Sequence, residues 1–336
     1  MKKKIVDTIK IIGFLIIGLS LFWLVYRNQD IEIIKKSILE ANLWWLVLSV
    51  ALGLLSHVSR ALRWKLLIAP LGYNPRKLTL FYSVMIMYLT NYAIPRSGEI
   101  VRCGIISKYE KIPFSALLGT VITERAFDFL MLFILAFIVA ITQFTVILDF
   151  LNNNPSAQET INNISSSSSF FVILLVSFIV FLLLFYFFRK KIKQTKLYNK
   201  FYQLFENFIL GLKTVANMKQ KGLFIAHTIF IWSMYFVMIV VVFKAFSFTH
   251  HLGILAGLTV FVMSSFGMVF PSPGGIGSWH FMAIETLFIY GISKVQASAF
   301  AFAAHESQMI MLIAVGLFSL IAVSFIKPFN SKSKKI

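Results

Sequence analysis

The stretch TLFYSVMIMYLTNYAIPRSGEIVR, residues 79–102, decides how the chain folds. It begins as an apolar run of helical length and ends in a charged turn, Ile94-Pro95-Arg96-Ser97-Gly98-Glu99. Proline ends a helix, and glycine permits the tight backbone of a turn. Because Lys77 precedes this stretch and Lys108 follows it, basic residues flank the break on both sides. We therefore predict that the segment enters a membrane, turns at mid-depth and returns to the face from which it came.

The composition of the chain indicates a membrane protein. The 336 residues are 58% hydrophobic and 13% charged, with 36 Phe, 11 Tyr and 6 Trp, whereas ordinary soluble domains are about 25% charged. A soluble core of this length cannot bury so much apolar surface. These values exclude a soluble enzyme and a disordered chain, and the lone Cys103 excludes a disulfide scaffold. The net charge of +19 lies mainly in loops, so it predicts topology and no nucleic-acid partner.

Nine apolar stretches are candidate membrane spans, because about 20 apolar residues cross a bilayer as a helix. They are Thr8–Tyr26, Leu43–Ser59, Thr79–Ile94, Arg125–Phe144, Phe170–Phe188, Leu223–Phe246, Gly253–Phe270, Trp279–Ile292 and His305–Ile326. Long helical runs predict an all-α polytopic bundle and argue against a barrel. We predict one integral membrane domain over residues 1–336, with about seven full spans plus two re-entrant helical hairpins from opposite faces.

Basic residues predict the orientation, since cytoplasmic loops are enriched in Lys and Arg. Residues 189–221 contain nine basic residues against one acid, whereas residues 147–169 contain no Lys or Arg. We expect residues 147–169 outside, and the 189–221 segment, both termini and the basic tail 327–336 in the cytoplasm of a bacterial inner membrane. Apolar residues at helical spacing within 189–221 predict an interfacial helix, or alternatively a cytoplasmic helix packed on the bundle.

A second break interrupts the apolar stretch Gly253–Ile292. By the same counting of crossings, this stretch enters from outside and returns there. Paired Pro/Gly-interrupted segments in the two halves are typical of an inverted-repeat transporter. Glycines allow close approach of a ligand to the backbone, so we predict a gate turn; the alternative is a break that only bends the chain. The turn consists of Pro271, Pro273, Gly274, Gly275 and Gly277.

Charged side chains within the apolar stretches point to function. Ionisable groups at membrane depth are costly and mark binding sites or transport pathways, and the fixed donor fork of arginine suits a phosphate. The candidate substrate-binding residues are Arg60, Arg63, Arg96, Arg102 and Arg125. The candidate site-orienting or proton-carrying residues are Glu99, Glu124, Asp128, His280, Glu285 and Glu306. Two alternatives stay open: the first two arginines snorkel to the interface, or the charges form a structural ion-pair network.

The spacing of these charges predicts their placement on helices. On a helix beginning after Pro95, Arg96, Glu99 and Arg102 would share one face. Glu124-Arg125 would open the apolar helix after the first hairpin, and His305-Glu306 would open the one after the second. Walker-type loops, His-Glu-x-x-His and Cys/His metal spacings are absent from the sequence. We therefore expect no cofactor, no metal and no enzymatic activity.

Four motifs together resemble one known family. They are Arg60-Ala61-Leu62-Arg63-Trp64, the run from Asn91 to Arg102, the run from Glu124 to Asp128, and the run from Pro271 to Gly277. The chain resembles the lysylphosphatidylglycerol synthase transmembrane-region family, also called flippase-like domain proteins, from about Thr8 to Ile326. One departure is that similar proteins often place an arginine where this chain has Ala303-Ala304-His305-Glu306.

The resemblance implies a membrane domain that moves lipid between leaflets. The multiple peptide resistance factors join such a domain to a soluble aminoacyltransferase that makes lysylphosphatidylglycerol. This chain ends at Ile336 without that soluble part, so we expect it not to be a synthase. We expect an inner-membrane lipid translocase that moves an anionic or amphipathic phospholipid or a lipid-linked carrier.

Two other functions compete with lipid translocation. One is a non-transporting membrane partner subunit of a separately encoded lipid-modifying enzyme, which would then be the protein's partner. The other is a membrane-embedded transferase with Glu99, Asp128 or Glu285 as its base. The lack of a recognisable donor site weakens the second of these.

Overall fold

The computed structural model describes residues 16–153, apart from residue 17, and residues 215–329. Within these residues the secondary structure is entirely helical, which confirms the all-α bundle. The helices are α1 (Ile31–Leu39), α2 (Leu43–Ile68), α3 (Lys77–Ala93), α4 (Gly98–Glu110), α5 (Phe114–Thr142), α6 (Phe144–Asn153), α7 (Lys221–Phe243), α8 (Ile254–Val269), α9 (Ser278–Ile289) and α10 (Lys294–Ser324). Residues 18–26 form a further helical segment. The expected span at 170–188, and most of the 147–169 loop, the 189–221 segment and the 327–336 tail, lie outside the described residues.

Among the described residues, four helices are long and apolar enough to cross a membrane, namely α2, α5, α7 and α10. Their outer surfaces carry large apolar side chains that no protein covers. Phe133 and Phe137 of α5 and Phe318 and Ile321 of α10 are all at least half exposed. Such a surface is unfavourable in water and suits lipid. The chain is therefore a helical membrane protein.

Three of these helices extend further than the apolar runs predict. α2 continues to Ile68, α5 begins at Phe114 and α10 begins at Lys294. The expectation that Glu124-Arg125 and His305-Glu306 open their helices was therefore wrong. A hydropathy pattern stops at a charged residue, but the helix continues because the charges find partners inside the protein.

The other four large helices form two hairpins, α3 with α4 and α8 with α9. They contain 17, 13, 16 and 12 residues respectively. At 1.5 Å per residue each arm is about 18–26 Å long, which is shorter than the roughly 30 Å hydrocarbon core of a bilayer. Each hairpin is thus built to enter the membrane and return.

The turn of the first hairpin follows from Pro95. Ile94 is extended, as the residue before a proline must be, and α3 ends there. The Asn91 side chain accepts a hydrogen bond from the Gly98 N–H at 2.8 Å, which closes the turn. Because α4 begins only at Gly98, Arg96 lies in the turn with a φ of 64°. The expectation that Arg96 shares a helical face with the residues after Gly98 was wrong.

The turn of the second hairpin requires its glycines. Phe270 is extended before Pro271, which ends α8. Gly274 and Gly277 have φ values of 58° and 82°, a region that other residues rarely adopt. A Cβ on Gly274 would overlap the ring of Tyr92, which belongs to the first hairpin. The glycine turn therefore permits the two hairpins to touch.

The two hairpins approach from opposite ends of α10, and their tips meet near its middle. At one end of α10 the Lys294 ammonium bonds the Glu285 carboxylate of α9 at 2.7 Å. Beyond its other end, the Phe329 N–H donates to the carbonyl oxygen of Tyr109, at the end of α4, at 2.8 Å. Between them, His305 contacts the second turn. This arrangement agrees with re-entry from opposite faces.

The order of helix lengths repeats along the chain. α2 to α5 run long, short, short, long, and α7 to α10 do the same. α2 and α7 pack against each other between the hairpins. Such a repeat with oppositely directed hairpins is the arrangement of an inverted repeat.

A polar layer lies between two apolar cores. Along α5, Leu117 and Val121 belong to one core and Leu132 and Val139 to the other. Glu124 lies between them, about 15 Å from the start of the helix. This part of α5 therefore carries a charge between two apolar cores.

Candidate functional site

Glu124 is the centre of a buried ion-pair network. Its carboxylate accepts hydrogen bonds from Arg60 at 2.8 Å, Arg63 at 3.2 Å and Arg102 at 2.9 Å. The Glu124 side chain is fully buried, as are those of Arg63 and Arg102. The three guanidinium groups compensate the charge of the Glu124 carboxylate, because a buried charge without a partner would be very costly.

Asp128 extends the network toward the outside of the cluster. One helical turn after Glu124, its carboxylate bonds Arg60 at 3.0 Å and Arg63 at 2.8 Å. Arg125 reaches Asp128 at 3.4 Å and Glu99 at 3.2 Å. These last two contacts are long, and the Arg125 side chain is 41% exposed. Arg125 is therefore the most loosely held cation of the network.

The network carries excess positive charge. Four arginines, at 60, 63, 102 and 125, face three carboxylates, at 99, 124 and 128. One positive charge is thus uncompensated within the cluster. Neither of the aromatic contacts supplies a counter-charge: Arg102 stacks on Trp64 at 4.5 Å, and Arg63 lies 5.6 Å from the ring of Phe224. An anion beside the cluster would be favoured.

A cavity of about 440 Å³ lies against this network. Its volume is in the range of small-molecule binding sites. Arg60, Arg125 and Asp128 form one part of the wall, and the tips of both hairpins contribute Tyr92 and Gly274. The remaining wall is largely apolar, comes from α2, α3, α5 and α7 to α10, and includes His305. The cavity therefore adjoins charge at one side and the meeting point of the hairpins at another.

Some of the residues that line the cavity have buried hydrogen-bond donors without a partner. The Arg60 Nε, Arg125 Nε and Trp232 Nε1 atoms have no partner, and all three residues line the wall. Among the described lining side chains, the Gln308 Oε1 is an unpaired acceptor and the His57 Nδ1 can play either role. Buried polar groups without partners are rare in proteins. These atoms have almost no exposed surface, so the acceptor oxygens of a ligand would reach them only after the side chains move.

The structure separates the five predicted substrate-binding arginines. Arg60 and Arg125 line the cavity, whereas Arg63 and Arg102 are fully buried behind the network. The burial of Arg63 also excludes snorkelling to the interface. Arg96 donates to the carbonyl oxygen of Val269 at 2.6 Å and thereby ties the tip of the first hairpin to the end of α8.

The predicted orienting residues also fall into separate groups. Glu99, Glu124 and Asp128 hold the arginines as described above. Glu285 lies elsewhere, because its carboxylate bonds Lys294 in a partly exposed pair beside a second groove. His280 and Glu306 come together with His305 beside the second turn, and His305 also lines the cavity.

The three residues of this histidine cluster converge closely. The Glu306 Oε1 lies 3.4 Å from the His280 Nε2 and 3.2 Å from the His305 Nδ1. Their possible ligand atoms all fall within 4.8 Å of one another, a spacing that invites comparison with a metal site. However, the Gly277 N–H donates to the His280 Nδ1, which assigns the ring proton to Nε2. The nitrogen facing Glu306 therefore carries hydrogen rather than a free lone pair.

Several residues that line the cavity were not among the candidates predicted from the sequence. His57, Tyr88 and Tyr235 line the wall, and the two tyrosine hydroxyls lie 3.4 Å apart. The Tyr235 hydroxyl also accepts from Arg60 at 3.4 Å. A signal was present, since His57 is an ionisable residue in an apolar span and Tyr88 lies one turn before Tyr92.

Comparison with known families agrees with this architecture. The family described as lysylphosphatidylglycerol synthase TM region matches residues 10–316. The chain belongs to this family. The match includes both hairpins, the arginine network and most of α10, so the family region and the described bundle coincide. The resemblance inferred from the four motifs is thereby confirmed.

A curated relative is a membrane protein of Methanocaldococcus jannaschii, UPF0104 membrane protein MJ1595. It is 29% identical over 133 residues, which cover 37% of this chain and 40% of the relative. The chain thus matches about two fifths of the length of that relative. No solved structure matches the chain.

Proposed function

We propose that this member of the lysylphosphatidylglycerol synthase transmembrane-region family moves an anionic phospholipid or a lipid-linked phosphate between the two leaflets. The observation that best supports this proposal is the cavity beside a network with one uncompensated positive charge. A phosphate would supply both the missing negative charge and acceptors for the unpaired donors. Membrane domains of this family are often linked to lipid flipping, which supports the proposal.

In this mechanism the cavity-lining arginines and the fully buried arginines would have different roles. Arg125 and Arg60 would contact the headgroup because both line the cavity, and the Arg125 side chain is the more exposed of the two. Arg63 and Arg102 would act at a distance, holding Glu124 in place. Glu99 and Asp128 would orient Arg125 until the phosphate replaces one of their long contacts.

The meeting hairpins would provide the path. Their tips close the cavity through Arg96, Tyr92 and Gly274. Separation of these tips on one side at a time would expose the cavity to each leaflet in turn, as alternating access requires. The turn from Pro271 to Gly277 would then be the gate on the side of the second hairpin.

We also propose that the base of the first hairpin faces the cytoplasm of a plasma membrane, with both termini on that side. Basic residues gather at this end: Arg76 donates to the carbonyl oxygen of Lys327 at 3.1 Å, and Lys108 lies near the end of α4. Basic residues favour the cytoplasmic side. The protein would act there without enzymatic chemistry of its own.

Lipid transfer by the purified protein tests the proposal. Liposomes would contain fluorescent phosphatidylglycerol, its lysyl ester or a polyprenyl phosphate, with a membrane-impermeant quencher outside. We expect the protein to remove the protection of inner-leaflet probe for one of these classes. Arg125→Ala should slow that transfer about tenfold or more, because a charge-assisted contact contributes roughly 1.5–3 kcal/mol. Lys108→Ala, which removes an exposed charge outside the cavity, should not.

Two results would contradict the proposal. One is normal transfer by a folded Arg125→Ala variant, which would remove the arginine from the binding site. The other is no transfer of any class by folded wild-type protein. That second result would favour the partner-subunit function, which the pairing of every network arginine with a carboxylate also suits. Co-purification with a lipid-modifying enzyme would then be the next measurement.

A further inference from the structure

The histidine cluster contains a contact that a neutral His305 and an ionised Glu306 cannot satisfy together. The His305 Nε2 lies 3.0 Å from the carbonyl oxygen of Gly274, and the His305 Nδ1 lies 3.2 Å from the Glu306 Oε1. Both neighbours are oxygen acceptors. A neutral imidazole has one N–H and one lone pair, so it can donate to only one of them. One further hydrogen is needed between His305 and Glu306.

The surroundings of Glu306 leave few alternative donors. His280 already uses its Nδ1 to accept from Gly277, and its Nε2–H faces Glu306 at 3.4 Å. The other titratable groups that face the cluster are Tyr26, from the helical segment 18–26, and Tyr92 of α3. Within the described residues, no lysine or arginine forms an ion pair with Glu306. The counter-charge for this carboxylate must therefore come from a histidine.

We propose that His305 and Glu306 together bind one exchangeable proton, and that this proton latches the second hairpin to α10. With the proton present, His305 donates from both nitrogens, to Gly274 of the turn and to Glu306 of its own helix. Without it, a lone pair faces an oxygen at about 3 Å, which is repulsive. Rotation of the His305 ring away from Glu306 would relieve this repulsion, and the carbonyl of Gly274 would then lose its donor.

The position of this latch gives it a consequence. Gly274 contacts His305 through its carbonyl and lies against the Tyr92 ring of the first hairpin, and all three residues line the cavity. Release of its carbonyl would loosen the turn that closes the cavity on the side of the second hairpin. Proton release and opening would thus be coupled. The proton site itself is independent of transport, whereas its coupling to transfer rests on the proposed lipid translocation.

The protonation state can be measured directly. Protein labelled with ¹⁵N at its six histidines, in lipid nanodiscs, would be followed by NMR through a pH series. His305→Gln identifies the signals of His305, and His250→Gln, at an exposed position, serves as the assignment control. We expect both ring nitrogens of His305 to be protonated in the wild type at the acidic end, and a single proton at the alkaline end.

Glu306→Gln is the decisive variant. A glutamine amide N–H can donate to a neutral His305 Nδ1, so both contacts survive without the extra proton. We expect His305 in this variant to keep a single ring proton over the pH range in which the wild type binds two. If His305 titrates identically in both proteins, the shared proton does not exist. Loss of the ring protons of His280 and His305 on addition of Zn²⁺ would instead assign the cluster to a metal ion and overturn the proposal.

The coupling has its own test in the liposome assay. A pH difference that is acidic on the side of the second hairpin should change the initial rate of lipid transfer several-fold in the wild type. The Glu306→Gln variant should lose this response. A wild-type rate that does not respond to the gradient would overturn the coupling while leaving the NMR result intact. Absence of any lipid transfer would count against the proposed function, and the NMR result would still decide the proton site.

Discussion

Replacing Glu124 by glutamine is the sharpest test of the buried network. The carboxylate accepts from Arg60, Arg63 and Arg102 at 2.8–3.2 Å, and its side chain is fully buried. Glutamine keeps the size but removes the charge, so the cluster would hold two uncompensated positive charges instead of one. Its amide N–H₂ would also face guanidinium donors. Removal of one partner from a buried pair costs about 3–5 kcal/mol, and we expect that loss in the free energy of unfolding.

The matched control is Glu110→Gln. Glu110 also bonds a guanidinium, that of Arg76 at 2.8 Å, and its own side chain is buried, but the Arg76 side chain is 39% exposed. Water can solvate the arginine that this change leaves behind, so we expect a cost of about 1 kcal/mol or less. Equilibrium unfolding in mixed micelles of mild and denaturing detergent would measure the free energy of unfolding of both variants. The difference between them, roughly 2–4 kcal/mol, is the part due to burial of the arginine partners.

A double variant separates lost charge balance from lost packing. The Arg102 ion pair with Glu124 is its single ion pair among the described residues. Arg102→Gln combined with Glu124→Gln therefore restores one excess charge. We expect the double variant to lose about 1–3 kcal/mol less unfolding free energy than the sum of the losses in the two single variants. Equal costs for Glu124→Gln and Glu110→Gln, or strict additivity of the double variant, would refute the reasoning that charge balance holds this layer together.

Three further changes test the hairpins and the core. Gly277→Ala should destabilise the fold by about 1–3 kcal/mol in the same unfolding assay, since the residue has a φ of 82° and packs against the backbone of residues 18–26. Arg96→Ala should slow leaflet transfer while the protein still inserts, because the tips of the two hairpins lose their 2.6 Å hydrogen bond; unchanged transfer would show that this contact is dispensable. Trp64→Phe should cost about 1 kcal/mol, as its indole N–H loses the Thr120 hydroxyl at 2.8 Å, and a Trp64→Phe variant as stable as the wild type would contradict that role.

Hydropathy located the helices well but misplaced their ends where charges begin. The predicted stretch Gly253–Phe270 agrees with α8 to within one residue at each end. By contrast, α5 begins eleven residues before the predicted Arg125. The difference is physical: a charged residue lowers the hydropathy of a window whether or not it is paired, while a helix responds only to whether its side chains find partners.

Candidate site residues could be found from the sequence, but the partner that each one contacts could not. Arginine and carboxylate positions in apolar runs stand out because such groups are expensive in a membrane. Nothing in their spacing shows that Arg60 meets Glu124, 64 residues away, while Arg96 meets a backbone carbonyl. Glu285, like Glu306, stands within an apolar stretch, yet its carboxylate pairs with Lys294 at a partly exposed position.

The sequence by itself determined that this chain is a helical membrane protein with two broken segments. Apolar length sets the spans, and Pro95 and Pro271 end helices wherever they stand, because proline has no N–H and restricts the residue before it. Only the tertiary structure decided that the two breaks meet, that three arginines share Glu124, and that His305 bridges Gly274 and Glu306. Those contacts join residues from distant parts of the chain, and a pairing between distant residues depends on how the helices pack, which local sequence does not contain.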